Sequence, residues 1–164
     1  MKPFKRIWLA LLLALSIAFS PVALWASDLS ITAANVVSGT TPTPQFENGT
    51  AGATITAGQV VYKDATTNTY KLADNDGASA ALASVAGIAL HGASSGQPLK
   101  VQTAGGINVG ATLTVGEIYV LSATPGGIAP KADLATGKRV TVLGVATTTS
   151  NLMLKSIVSG VAVP

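Results

Sequence analysis

The chain has 164 residues, 48% of them hydrophobic, with a formal net charge of +3, a single histidine and no cysteine. That length holds about one domain, and that apolar share is ample for one buried core. The lack of cysteine excludes disulfides, thiolate catalysis and cysteine-ligated metal sites, so stability must come from packing or association.

Residues 1–26 read as a leader. They open with Lys2, Lys5 and Arg6, continue as an apolar or small run from Ile7 to Phe19, and pass through Pro21 to the small residues Ala23 and Ala26. This is the three-part layout of a secretory signal peptide. The run is shorter than the roughly 20 residues that cross a bilayer core, so cleavage is expected, and contact with a membrane only through a leader that stays attached. Of ten Lys and Arg, three lie in the leader, and the remaining seven balance seven Asp and Glu, which leaves the body formally neutral. Its cations are scattered apart from the neighbours Lys138 and Arg139, so no basic stripe is available and nucleic-acid binding is not expected.

Residues 27–48 form a polar arm whose X-Pro bonds favour extended backbone, with a short strand expected at Leu29–Val37. Residues 49–164 read as a β domain, because Val, Ile, Thr and Tyr recur in short alternating runs punctuated by Gly, Asn, Asp and Pro. In chain order, strands are expected at Thr54–Ile55, Val60–Asp64, Thr69–Leu72, Val85–Ala89, Leu99–Gln102, Thr112–Leu113, Ile118–Ser122, Ile128–Lys131, Val140–Val145 and Leu152–Val158. Turns are expected at DATTNT, GGIN and TPGG, where Gly supplies positive φ and Pro presets φ. The alanines of GASAALASVAG, Gly77–Gly87, offer a helical turn but no helix with an apolar stripe.

The chain repeats itself. Ala53–Asp64, ATITAGQVVYKD, returns fifty-eight residues later as Ala111–Ser122, ATLTVGEIYVLS, and each is followed by a turn and a second strand. Val85–Leu90, VAGIAL, then matches Val142–Thr147, VLGVAT, and PLKVQTAGGINV pairs loosely with MLKSIVSGVAV. Similarity by chance in an Ala-, Thr- and Gly-rich chain is the alternative; the matched order of four blocks argues against it. Two copies are too few for a stacked array, so the expected fold is all-β: a small compact barrel or sandwich of two similar units, about 53–110 and 111–164, with an extended N-terminal arm.

Motifs that resemble chemistry do not assemble into a site. Gly92–Gly96, GASSG, satisfies G-x-S-x-G with Ser94 central, but Pro98 and a strand follow where a hydrolase elbow needs a helix, and His91 precedes the serine. His91 lacks the further His or Cys partners of a metal site. Asp74 and Asp76 open like a calcium loop without its later ligands, ATGKR lacks the first glycine of a phosphate loop, and Asn48 heads a glycosylation acceptor, NGT. The carboxylates Asp64, Asp74, Asp76, Glu117 and Asp133 all fall in or beside expected turns. No catalytic, cofactor-binding or metal-ligating residue is assigned, no cofactor or small-molecule substrate is expected, and the reading is non-enzymatic.

The phrases SDLSITAANVV, GTAGATITAGQVVYKD, YKLAD, GIALHGASSGQPL and GATLTVGEIYVLSATPGGIAPKADLATG resemble those of small tailed-phage structural proteins, the capsid decoration, cement or head-fibre proteins, over about residues 28–164. The resemblance implies a compact β-barrel domain that reinforces the outside of an assembled shell, with a capsid shell protein as partner and self-association, often as trimers at symmetry axes. It implies location on the virion. The leader instead implies export to the periplasm or outside, and so an exported bacterial surface or periplasmic β protein in adhesion or extracellular assembly as the alternative. Either a phage-derived domain has been redirected, or the start codon is called too early and upstream sequence imitates a signal.

Overall fold

The computed structural model describes residues 27–164, and the leader expected over residues 1–26 lies outside the described residues. Ten strands follow one another: β1 (Val36–Ser38), β2 (Gln45–Thr50), β3 (Val60–Lys63), β4 (Tyr70–Leu72), β5 (Val85–Ala89), β6 (Pro98–Val109), β7 (Ile118–Leu121), β8 (Ile128–Pro130), β9 (Arg139–Ala146) and β10 (Asn151–Ala162). They form one curled antiparallel sheet in the order β4-β3-β5-β6-β10-β9-β7-β8, with β1 and β2 added beside β6. The fold is all-β, as the alternation predicts.

Departures from expectation have local causes. Leu29–Val37 is strand only from Val36, because Leu29 and Thr32 spend their N–H groups on the carbonyls of Ile128 and Gly110, and residues 33–35 close a 3₁₀ turn. Polar β2 was not expected as a strand. Its residues pair with β6 from Thr50↔Pro98 to Gln45↔Ala104, so ladder bonds override weak propensity. Thr112–Leu113 is not strand, Ile55 makes only an isolated bridge to Ala93, and GGIN runs inside β6. The alanine-rich stretch contributes one 3₁₀ turn, Ala80–Ala83, capped by Ser79.

In its first three blocks the sequence repeat is a repeat of strand register, whereas the fourth is shifted, since the ladders equate Val101 and Gln102 with Leu152 and Met153 rather than Leu99 with Leu154. Val60↔Ile88, Val61↔Gly87 and Tyr62↔Val85 between β3 and β5 reappear as Ile118↔Val145, Tyr119↔Gly144 and Val120↔Val142 between β7 and β9, with the same irregularity at the same step. Lys63↔Tyr70 likewise reappears as Leu121↔Ile128 in the hairpins β3–β4 and β7–β8. Gly87 and Gly144 occupy equivalent places for one reason: a Cβ at either would collide with the backbone carbonyl of the facing strand, at Gln102 and Met153.

The two copies nevertheless use opposite faces. In the first repeat Ile55, Val61, Tyr70, Ala89 and Val101 build a second core with Ala51, Ala93 and Leu99, whereas their counterparts Leu113, Tyr119, Ile128, Ala146 and Leu152 build the main core. The first repeat reaches the main core with its other face, through Val60, Tyr62, Val85 and Ile88. The repeats therefore stack front to back. Each fully buried Leu or Ile in these clusters contributes on the order of 1.5–3 kcal/mol.

The exchange of faces is made in β6. Along it, Val101 lies in the second core and Ile107 in the main core, both odd-numbered, so the two-residue alternation has slipped by one. The slip is a bulge, where Gln45 pairs with Ala104 but Phe46 with Gln102. Gly105 follows at φ +93, and the Gln102 amide Nε2 donates to the carbonyls of Ala104 at 3.1 Å and Gly106 at 2.9 Å. A backbone clasp joins the outer strands: Gly126 N donates to Ala73 O at 2.7 Å, and Asn75 donates from N and Nδ2 to the carbonyls of Ser122 and Leu121.

Gly105 combines a left-handed backbone with an arm packed against it, since a Cβ there would lie 2.5 Å from Pro44 Cα. Gly105→Ala is expected to lower unfolding stability by at least about 2 kcal/mol, read as a lower midpoint in urea denaturation. An unchanged midpoint would show that the bulge tolerates a side chain.

Candidate interaction surface

The polar residues singled out in the sequence are spread over separate turns. His91 sits in the turn before β6, where its Nε2 accepts from Lys100 N at 3.1 Å, which leaves Nδ1 to donate to Gly92 O at 3.0 Å. Ser94 closes the same turn through its backbone, Ser94 N donating to Gln97 Oε1 at 2.7 Å. Asp76 pairs with Lys138 and its N–H donates to Asp74 Oδ1. Burial holds the Asp74 carboxyl above the ordinary aspartate range, whereas the Lys138 ammonium draws Asp76 below it. Arg139 donates to Gly77 O at 2.8 Å, so the adjacent cations bind this loop. Asn48 lies exposed on β2, opposite Lys100. Among the described residues no group of three or more His, Cys, Asp or Glu is placed to hold a metal ion.

Two polar contacts join distant segments that the sequence pattern left unconnected. Tyr70 OH donates to Glu47 Oε2 at 2.5 Å, tying β4 to β2, and burial foremost, then the Glu47 carboxylate, pushes the phenol above the ordinary tyrosine range. Ser122 Oγ donates to Asp28 Oδ1 at 2.5 Å and holds the start of the arm to the β7–β8 turn. A broad groove of about 650 Å³ between the arm and the end of β6 is lined by Ser30, Thr32, Asn35, Asn108, Thr112 and Thr149, all uncharged. Such a lining offers hydrogen bonds but no group that titrates near neutral pH.

The apolar surface is ordered by contrast. Directly paired residues of neighbouring strands share a sheet face, so Ile118, Val145 and Met153 form one row across β7, β9 and β10, and Val120, Val142 and Ile157 the next. This is the face of the second repeat that corresponds to the first repeat's contribution to the main core. Val120 and Ala129 are buried beside Leu134 around a cavity of about 170 Å³. The other members of the rows are only half-buried or exposed, Met153 at 39% and Ile157 at 57%. The consecutive apolar run Ile118–Leu121 carried this signal, since apolar residues on both parities mean two apolar faces.

A second exposed apolar element is the end of β10. Past Lys155 this strand pairs only with β9, and Ser156–Ala162 contains no charged residue. Val158 is 43% and Val161 65% exposed there. Phe46 on β2 is exposed too, beneath the Lys100 ammonium at 4.2 Å from its ring centre. No protein-family model matches the chain, and no curated protein matches it significantly.

The β3–β4 turn contains an acid whose titration is predictable. Asp64 Oδ2 meets Lys71 Nζ at 2.5 Å, and Oδ1 accepts from Thr66 N and Thr67 N. The Lys71 bond first, then these backbone donors, lower the carboxyl to about 2 from 3.8. Because the folded value is depressed, the contribution of Asp64 is present above about pH 4 and lost as the pH falls toward 2. The Asp64 carboxyl resonance is expected to titrate near 2 in NMR, and Lys71→Ala to return it toward 3.8. A wild-type midpoint near 3.8 would contradict the bonding pattern.

Proposed function

We propose that the protein is a non-enzymatic structural component that decorates or cements the outer surface of a phage capsid. The ordered phrases from about Asp28 to Pro164 that resemble decoration and cement proteins support the shell as partner. The exposed, charge-free end of β10 carries the assembly reading: its valines expose apolar area on a strand that has one partner only, where another protein surface can cover it. Each cation and carboxylate of the Asp76–Lys138 and Asp64–Lys71 pairs is engaged in shaping a loop, a use suited to a rigid module. The alternative, an exported surface or periplasmic protein in adhesion or extracellular assembly, is favoured by the ordered charges, apolar run and small residues of the leader.

Gradient-purified particles from cells producing the protein with its shell are expected to contain it in fixed proportion to the shell protein. Val158→Asp together with Val161→Asp is expected to lower that proportion at least about tenfold, because two carboxylates would be buried without partners. Full occupancy by the double variant would remove β10 as the contact. Absence of the wild-type protein from particles, with a mature terminus at Ser27 in an exported fraction, would overturn the shell reading in favour of the exported one.

A further inference from the structure

We infer that Asn48 is a site of spontaneous covalent modification, deamidation through Gly49, and that its rate is set by the lifting of β2 from β6. This inference concerns the chain alone and does not rest on the shell reading. Of the six asparagines in the sequence, only Asn48 is followed by glycine, whose bare backbone lets its nitrogen reach the preceding side chain. Asn48 is exposed, on a strand that pairs with β6 alone.

The fold requires that glycine. A Cβ on Gly49 would lie 2.5 Å from Cε2 of the fully buried Tyr70, so any larger residue would displace the ring. Core packing therefore keeps beside Asn48 the neighbour that makes it reactive.

The reaction needs only water. The Gly49 nitrogen attacks Asn48 Cγ, a C–N bond forms, the Cγ–Nδ2 bond breaks, and the amide leaves as ammonia with the Gly49 proton. Water then opens the resulting succinimide. Cleavage at Cγ leaves aspartate, whereas cleavage at the Asn48 carbonyl carbon leaves isoaspartate, in which the main chain runs through Cβ and Cγ.

The sheet holds this reaction back. Lys100, opposite Asn48, turns both backbone groups toward the segment after β5: its N–H donates to His91 Nε2 and its carbonyl accepts from Leu90 N. Alternation along an antiparallel pair then gives the bonds to β2 to Leu99 and Val101, and Ala51 N, donating to Gln97 O, keeps the same phase. The Gly49 N–H is thus committed to Leu99, its paired residue. Attack on Cγ requires that bond to open, and the hydrogen bond from Tyr70 OH to Glu47, next to Asn48, fastens the strand against opening. Once isoaspartate forms, its extra chain carbon breaks the two-residue spacing between Glu47 and Gly49, so the two no longer meet their partners together.

Peptide mapping by mass spectrometry, on the protein as recovered from its producing cells and held at mildly alkaline pH, tests this. Asn48 is expected to convert at least about tenfold faster than any other asparagine, yet at least about tenfold slower than in the free peptide Gln45–Ala51, a gap that denaturing guanidinium closes. Glu47 is exposed, so Glu47→Ala leaves the core intact. Corrected by the same change in the peptide, it is expected to raise the native rate at least about threefold. The isoaspartate fraction separated from aged protein is expected to unfold at lower urea, whereas Asn48→Asp, with an ordinary backbone, stays near the wild-type midpoint. Earlier conversion at another asparagine, a native rate equal to that of the peptide, no response to Glu47→Ala, or an isoaspartate fraction as stable as Asn48→Asp would each overturn the inference.

Discussion

The bulge in β6 is the constraint on which the rest of the structure depends. A strand that alternates without interruption carries one set of side chains to one face from end to end. In β6 the step between Gln102 and Ala104 admits one extra residue, and Gly105 turns the chain back into line with a positive φ. Val101 thereby belongs to one core and Ile107 to the other. Without the slip, two units of identical register would present identical faces on the same side of the sheet. With it, the front of the first repeat meets the back of the second, and a duplicated unit acquires two different neighbourhoods.

That asymmetry explains where polar and apolar groups are used. The first repeat buries both faces, one against the second repeat and one under its own Ala51, Ile55 and Ala93. The second repeat buries one face, and its other is covered only in part, where Leu134 lies beside Val120 and Ala129. The arm binds both repeats: β2 lies along Pro98–Ala104 and Glu47 accepts from Tyr70 of the first, while Asp28 and Leu29 hold Ser122 and Ile128 of the second. Acids and bases meanwhile stabilise turns: Asp64 with Lys71 in one hairpin, Asp76 with Lys138 between the repeats.

Much of this fold was legible in the sequence, for physical reasons that differ by element. The strands from Val60 onward were readable because β-branched and aromatic residues alternate between turn residues, and Gly58 and Gly116, which mark the repeat, both take positive φ. β2 was not readable, since QFENGT has no apolar alternation and owes its extension to β6. The face exchange was hidden as well. It depends on a single residue of register, and GGIN looks like a turn until the arm packs against Gly105 and Gly106. The open rows were half visible, in apolar residues of both parities at Ile118–Leu121, but which face would stay open is fixed by tertiary stacking.

The front-to-back stacking of the repeats is tested most directly by placing the same charged residue at two equivalent positions. Ile88 and Val145 correspond in register, and Ile88 is fully buried in the main core while Val145 lies half-buried on the open face. Equilibrium denaturation of Ile88→Asp and Val145→Asp at neutral pH and low protein concentration compares them. The stacking predicts that Ile88→Asp costs several kcal/mol and abolishes cooperative unfolding, because an unpaired carboxylate would be buried, whereas Val145→Asp costs about 1 kcal/mol. Equal losses at the two positions would contradict it.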